Sequence, residues 1–143
     1  MSTNLHRRDP ALAALQEECE TQLLNLPFGV YYFGTRLSSG RCIVFVGEDG
    51  QVNGELSACG RAGNEATDWD WGGKSPGATH LSLALLSERI TDPATAIAHH
   101  HEFACDIIAQ LPLSKWVLSG IEIAKWLNRH EQASPDRTEL HQA

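Results

Sequence analysis

Residues 67–86 read TDWDWGGKSPGATHLSLALL, and the fold turns on how that stretch divides. Trp69-Asp70-Trp71-Gly72-Gly73 places two tryptophans on alternate positions, hence on one face if the segment is extended, and a glycine pair that lets the backbone turn sharply. Ser75-Pro76 is a helix start: serine accepts from a free N–H of the first turn, and proline suits the first helical position. The helix it opens should run to about Arg89. Its apolar residues, Ala78, Leu81, Leu83, Ala84, Leu85, Leu86 and Ile90, lie nearly all round it, which predicts a buried central helix.

Upstream, Asp9-Pro10 repeats the cap-and-proline device. Leu12, Leu15, Cys19, Leu23 and Leu26 then recur at three- and four-residue steps, with Glu17, Glu18 and Gln22 opposite, so an amphipathic helix is expected over residues 10–25. Pro27 limits it. Residues 28–34 (FGVYYFG) and 41–47 (RCIVFVG) are aromatic and β-branched, separated by a turn-like segment, and predict an antiparallel hairpin. Asp49-Gly50 suits a turn with positive φ, leading to a short third strand at residues 51–56 weakened by Gly54. Residues 57–68 (SACGRAGNEATD) read as the longest loop inside the domain.

Downstream, Thr91-Asp92-Pro93 starts a further helix. Ala94, Ile97, Ala98, His101, Ala104, Cys105, Ile108 and Leu111 are read as its buried stripe, and Leu111-Pro112 as its end. Ser119-Gly120-Ile121-Glu122 is a capping box opening a last helix over residues 120–130, with Ile123, Ala124, Trp126 and Leu127 inward. These elements define an α+β fold: a small antiparallel β-sheet of two to three strands packed against about four helices. The expected organisation is a flexible arm at residues 1–8, a single domain over 9–131 and a disordered tail at 132–143.

Composition narrows the function classes. The 143 residues are 42% hydrophobic and 20% charged, as in ordinary globular proteins. No apolar run approaches the roughly 18 residues that span a bilayer, and residues 1–9 lack the apolar core of a signal peptide, so a cytoplasmic protein is expected. Cys19, Cys42, Cys59 and Cys105 are widely spaced without a C-x-x-C pair and read as reduced thiols. The formal net charge is −7, and residues 48–92 alone carry eight acids against three bases, a net of −5. That balance argues against direct binding of nucleic acid, which requires a lysine and arginine surplus, and is compatible with a basic protein partner.

Trp69, the Gly72-Gly73 pair, Pro76 and Leu81-Ser82-Leu83-Ala84-Leu85-Leu86 together resemble an uncharacterised bacterial and phage family, a domain of unknown function. Its members pair a short β-hairpin with a W-G-x-x-G…P-A-x-L-A-L-A-I-L segment. Tyr32-Phe33-Gly34-Thr35-Arg36 and Val44-Phe45-Val46-Gly47 are similar to its hairpin. Phe103, Asp106-Ile107-Ile108-Ala109 and Leu111-Pro112 resemble its second helix, and Trp116-Val117-Leu118-Ser119 with Glu122-Ile123 its last. The resemblance covers residues 30–127. Here Ser75-Pro76-Gly77-Ala78-Thr79-His80 replaces the usual glycine-proline-alanine-glutamine, and the helix at 10–25 is an addition. The resemblance implies a fold and no mechanism; that such members occur in phages and mobile elements points to an accessory or host-defence-countering role.

Three groups of side chains are candidates for chemistry. His99-His100-His101-Glu102 draws the eye, but successive helical residues diverge by about 100°, so three consecutive histidines cannot share one ion. His101 with Cys105, joined by His80 from another helix, is the weak candidate metal set, and the alternative it offers is a small metal-dependent hydrolase. Asp68 and Asp70, straddling Trp69, are a possible carboxylate pair, and Ser75 with His80 a possible nucleophile and base, although Ser75 is better explained as a cap. A nucleophile elbow, a phosphate-binding Gly-rich loop and a dinucleotide fingerprint are absent. No cofactor is expected.

The expectation favoured over catalysis is a small acidic module that binds another protein, itself basic or nucleic-acid-binding. Asp68, Trp69, Asp70, Trp71, Lys74 and Glu65 are its expected contact residues, with aromatic anchors inside an acidic rim. In its sharpest form the expectation is a phage or mobile-element inhibitor of a bacterial CRISPR-type defence complex, acting by steric block or by partial mimicry of nucleic acid. The partner's identity and the oligomeric state are not legible.

Overall fold

The computed structural model describes residues 10–56, 69–90 and 92–132. Its centre is a sheet whose strands are apolar on both faces. In strand β1 (Val30–Arg36) Tyr31 and Phe33 point one way and Tyr32 the other; in β2 (Cys42–Glu48) Ile43 and Phe45 oppose Cys42 and Val44, and all are buried. A sheet patterned in this way needs cover on two sides. Helix α1 (Pro10–Leu24) supplies one, closing Cys19 and Leu23 over Tyr31, Phe33, Ile43, Phe45 and Val52. The helices α2 (Pro76–Arg89), α3 (Pro93–Asp106) and α4 (Gly120–Gln132) supply the other, around Tyr32, Val44, Trp71, Leu81, Leu85, Phe103, Ile123 and Trp126.

The fold is α+β, and the described residues form four α-helices, as expected, but a sheet of four strands rather than two to three. β3 (Gln51–Glu55) and β4 (Lys115–Ser119) are its edges, in the order β3-β2-β1-β4, each pair antiparallel. The β2–β3 turn has the anticipated geometry, with Asp49 at φ 51° and Gly50 at φ 87°. β4 is the strand missed. Lys115-Trp116-Val117-Leu118-Ser119 alternates outward and inward, with Trp116 and Leu118 buried, and the six residues between Pro112 and the Ser119 cap leave little room for a helix. Trp116 lies directly opposite Gly34 and its indole covers the space a side chain there would fill.

Local chemistry sets the helix ends. Ser75 is the N-cap of α2, its Oγ accepting from the Ala78 N–H at 3.3 Å, and Asp92 caps α3 through the Ala94 N–H at 3.2 Å. At α4 the capping box is complete: Glu122 Oε1 accepts from the Ser119 N–H at 2.9 Å, and Ser119 Oγ accepts from the Glu122 N–H at 3.0 Å. α2 is the central helix, with Ala78, Leu81, Ser82, Ala84, Leu85 and Leu86 buried. Each leucine removed from water there contributes about 1.5–3 kcal/mol.

The phase of α3 differs from the sequence reading. Ala96, Phe103 and Ala104 are buried, whereas Ala94, Ile97, Ala98, His101 and Cys105 face solvent. The stripe chosen from sequence left out Phe103, the largest apolar side chain of the helix, and burying it rotates the helix so that His99 and His100 become half-buried and His101 exposed. The helix also ends earlier, at Asp106, and gives way to a single 3-10 turn at Ile108–Gln110. Ala124, expected inward on α4, is exposed. No helix of the described residues is long and apolar enough to cross a membrane.

Candidate functional site: the joint at the start of α2

Trp69 and Trp71 are both core residues, 7% and 1% exposed. The segment around them plugs the gap between the sheet and the start of α2. Trp71 meets Trp116 edge to face at 5.2 Å between ring centroids, and its Nε1 donates to the Leu113 carbonyl at 2.8 Å. Gly72, at φ 78°, turns the chain away; its N–H donates to the Ile108 carbonyl at 3.0 Å, and the Leu113 side chain occupies the place of a Cβ.

Arg36, at the end of β1, ties this plug to the sheet. Its Nε donates to the Leu113 carbonyl at 3.0 Å, its Nη2 to Asp70 Oδ1 at 3.1 Å and to the Trp71 carbonyl at 3.3 Å, and its guanidinium lies 5.3 Å from the Trp71 ring centroid. Asp70 answers from the other side. Its Oδ1 also accepts from the Trp71 N–H at 2.9 Å, and its Oδ2 accepts from Ser75 Oγ at 2.8 Å. Burial pushes the Asp70 carboxyl up, but the hydrogen bonds from Ser75, the Trp71 N–H and Arg36, with the arginine's charge, outweigh it and hold the group below its ordinary value.

A groove of about 480 Å³ opens over this joint, lined by Arg36, Gly40, Arg41, Cys42, Trp69, Asp70, Ser75 and Gly77. Its chemistry is quiet. Cys42 has its thiol pushed up by burial, with Arg36 opposing and Asp70 reinforcing, and Sγ donates to the Gly40 carbonyl at 3.8 Å; it is no activated nucleophile. The thiol of Cys19, under α1, is pushed up to about 11 by burial with Glu18 beside it. Cys19, Cys42 and Cys105 are free thiols, as read from the sequence, and Cys59 lies outside the described residues.

The remaining candidates fall as follows. Asp68 and Glu65 lie outside the described residues, so the Asp68–Asp70 pair is not described, and Lys74 is exposed beside the turn. The acidic lip expected from sequence is, at Asp70, an internally satisfied carboxylate paired with Arg36. Ser75 Oγ is committed to Asp70 and to the α2 cap, so it is a capping residue and not a nucleophile; His80 is exposed on α2. His101 and Cys105 are exposed on α3, and no group of three His, Cys, Asp or Glu side chains able to hold a metal ion forms among the described residues. The metal set His80, His101 and Cys105 is therefore not brought together.

A second polar cluster, invisible in the sequence, clamps α3 to α4. Asp106 Oδ2 accepts from Trp126 Nε1 at 2.9 Å and lies 3.2 Å from His130 Nε2; the His130 ring stacks on Trp126 at 3.9 Å and its Nδ1 lies 2.9 Å from the Trp126 carbonyl. His99 meets the other side of Trp126 edge-on at 6.1 Å. His99 and His130 flank a buried tryptophan, which gives one member of the histidine run a packing role.

Removing the Asp70 charge has a predictable pH signature. Its folded-state value lies below the ordinary 3.8, so it contributes stability that is present above that value and lost as pH falls through the folded one. Asp70→Asn should lower the urea midpoint at neutral pH, and the gap to wild type should narrow as pH falls from neutral to below 3.8. A gap that stays constant over that range contradicts the network described.

A three-layer α+β domain, with a sheet held between one helix and three, is the class these features define. The chain belongs to a family of unknown function (DUF6166), whose model matches residues 32–129 and so leaves α1 outside the matched span. No curated protein and no solved structure matches it.

Proposed function

We propose that the chain is an acidic protein-binding module that acts without catalysis and takes a basic, nucleic-acid-binding protein as partner in the cytoplasm. The observation that carries this is the charge of the α1 layer. α1 carries Glu17, Glu18 and Glu20 and packs on β2 and β3, which with the turn between them carry Glu48, Asp49 and Glu55. Lys115 answers this face, paired with Glu18 at 2.9 Å. α1 offers acids on a rigid helix whose inner face is anchored by Cys19 and Leu23, which presents the charges at little conformational cost on binding. The contact surface thus moves from the buried tryptophans to the outer layer of the sheet. The sharper form of the proposal is an inhibitor carried by a phage or mobile element, occupying the basic surface of a CRISPR-type defence complex where phosphates would bind.

The test is affinity capture on immobilised wild type and on Glu17→Lys/Glu18→Lys/Glu20→Lys, from low salt to about 0.3 M. Wild type should retain basic proteins that the variant loses and that salt elutes, with the same far-UV spectrum for both. Retention of the same proteins by both, insensitive to salt, contradicts the reading.

A further inference from the structure

The end of α1 carries the two most exposed large apolar side chains among the described residues: Phe28 is 81% exposed and Leu24 72%. Both stand against one turn. Gly29, next to Phe28, donates its N–H to Asp49 Oδ1 at 2.8 Å, and its carbonyl accepts from the Asp49 N–H at 3.1 Å. Leu24 reaches Gly50, its Cδ2 lying 3.6 Å from where a Cβ there would stand. The segment that presents Phe28 is also pinned from within: the Tyr31 hydroxyl donates to the Pro27 carbonyl at 3.0 Å, and the Leu26 N–H to the Leu23 carbonyl at 3.0 Å. A bulky ring is thus held in water on a fixed backbone, which packing within the chain does not explain and which an interface uses.

The charge around the pair narrows what can cover it. Residues 10–35 and 42–56 hold six acids and no lysine or arginine. Two of the acids flank Phe28: Asp49 is bonded to Gly29, and Glu48 lies opposite Val30 in the ladder. Glu17, Glu20 and Leu24 follow one another at three and four residues, hence along one face of α1. Arg36 and Arg41 lie at the other end of the β1–β2 hairpin, roughly 20 Å away and well beyond the reach of screened charge. Arg89 approaches the near end from the helical layer on the other face, against Gly120 and the Tyr32 hydroxyl. A second copy would bring the same acids against these, and an anionic lipid surface or a phosphate backbone is repelled in the same way.

We propose that Leu24 and Phe28 are the apolar anchors of the acidic α1 face, and that their occupant is a protein segment presenting an apolar side chain flanked by lysine or arginine. The apolar side chain covers the Phe28 ring, and its basic neighbours reach Glu48 and Asp49 at the turn and Glu20 on α1. The inference rests on the acidic reading of α1 above and adds what net charge alone does not supply, an apolar centre that selects among basic partners. Because the segment carrying Phe28 is already fixed, binding requires no ordering of it.

Fluorescence anisotropy with three labelled peptides tests it, one alternating lysine and leucine, one lysine and serine, and one glutamate and leucine. Wild type should bind the lysine–leucine peptide in a salt-sensitive manner, the lysine–serine peptide more weakly and the glutamate–leucine peptide not at all. Phe28→Ser, at an exposed position that leaves the far-UV spectrum unchanged, should weaken the lysine–leucine complex about tenfold, and Leu24→Ser should weaken it less. Amide NMR shifts on binding should fall at Leu24, Phe28 and Glu48–Gly50. Equal binding of both lysine peptides by wild type and Phe28→Ser overturns the apolar anchor and leaves the acidic face standing. Binding of the glutamate–leucine peptide, or of none, overturns the proposal, and the charge-reversed α1 variant then decides the acidic face by itself. A wild type that sediments at twice the chain mass, and at the chain mass as Phe28→Ser, gives the pair to a second copy and overturns it as well.

Discussion

Trp71→Ala should cost about 3–5 kcal/mol, close to the whole stability of a marginal domain, and leave a chain that is largely unfolded or molten at room temperature. The ring is 1% exposed and sits where three parts of the chain meet: the Trp116 indole of β4, the Leu113 carbonyl before it, and the Arg36 guanidinium from β1. Truncation loses the buried area and opens a cavity at the joint between sheet and α2. Trp71→Phe separates the terms. It keeps most of the apolar contact and loses only the Nε1 hydrogen bond, and the Leu113 carbonyl still accepts from Arg36 Nε, so about 1–2 kcal/mol is expected. Urea denaturation of the two variants checks both figures, and a Trp71→Ala midpoint near wild type would refute the structural role given to the plug.

Gly34→Val should be nearly as severe, for the opposite reason. Gly34 lies within β1 opposite Trp116, and the Nε1–Cε2–Cζ2 edge of that indole fills the space a side chain there would take. A side chain there must expel a rigid ring 5% exposed, which also breaks the edge-to-face contact with Trp71. Overpacking of this kind costs about 1–3 kcal/mol when neighbours yield, and an indole fixed on both sides yields poorly. The coupling is the stronger test. In Gly34→Val/Trp116→Leu the valine fills the space the indole vacates, so the double variant should be more stable than the sum of the single losses implies. Strict additivity would mean the two residues do not compete for one volume.

The elements legible in the sequence are those set by neighbouring residues. Ser75-Pro76, Asp92-Pro93 and the Ser119–Glu122 box marked helix starts correctly because a cap is satisfied within one turn. Asp49-Gly50 fixed its turn through positive φ, again a local demand. What escaped depended on distance along the chain. Arg36 and Asp70 are far apart in sequence, and nothing near Asp70 says that its carboxylate will be consumed internally. α3 carries two possible apolar stripes, and only contact with α2 and Trp126 selects the one containing Phe103. β4 was within reach, since Trp116 and Leu118 alternate with Lys115 and Val117, but its few residues carry little periodic weight. The candidate site fared similarly: the tryptophans were singled out rightly as the organising feature, and their burial makes them architecture.

Residues 69–75 form a structural joint, and hydrogen exchange separates that joint from the protein-binding face proposed on α1. The chain should be measured alone and with the partner retained by the acidic face. Protection should rise on α1 and at the Glu48–Asp49 turn while residues 69–75 stay unchanged. New protection at residues 69–75 with α1 unaffected would contradict the account.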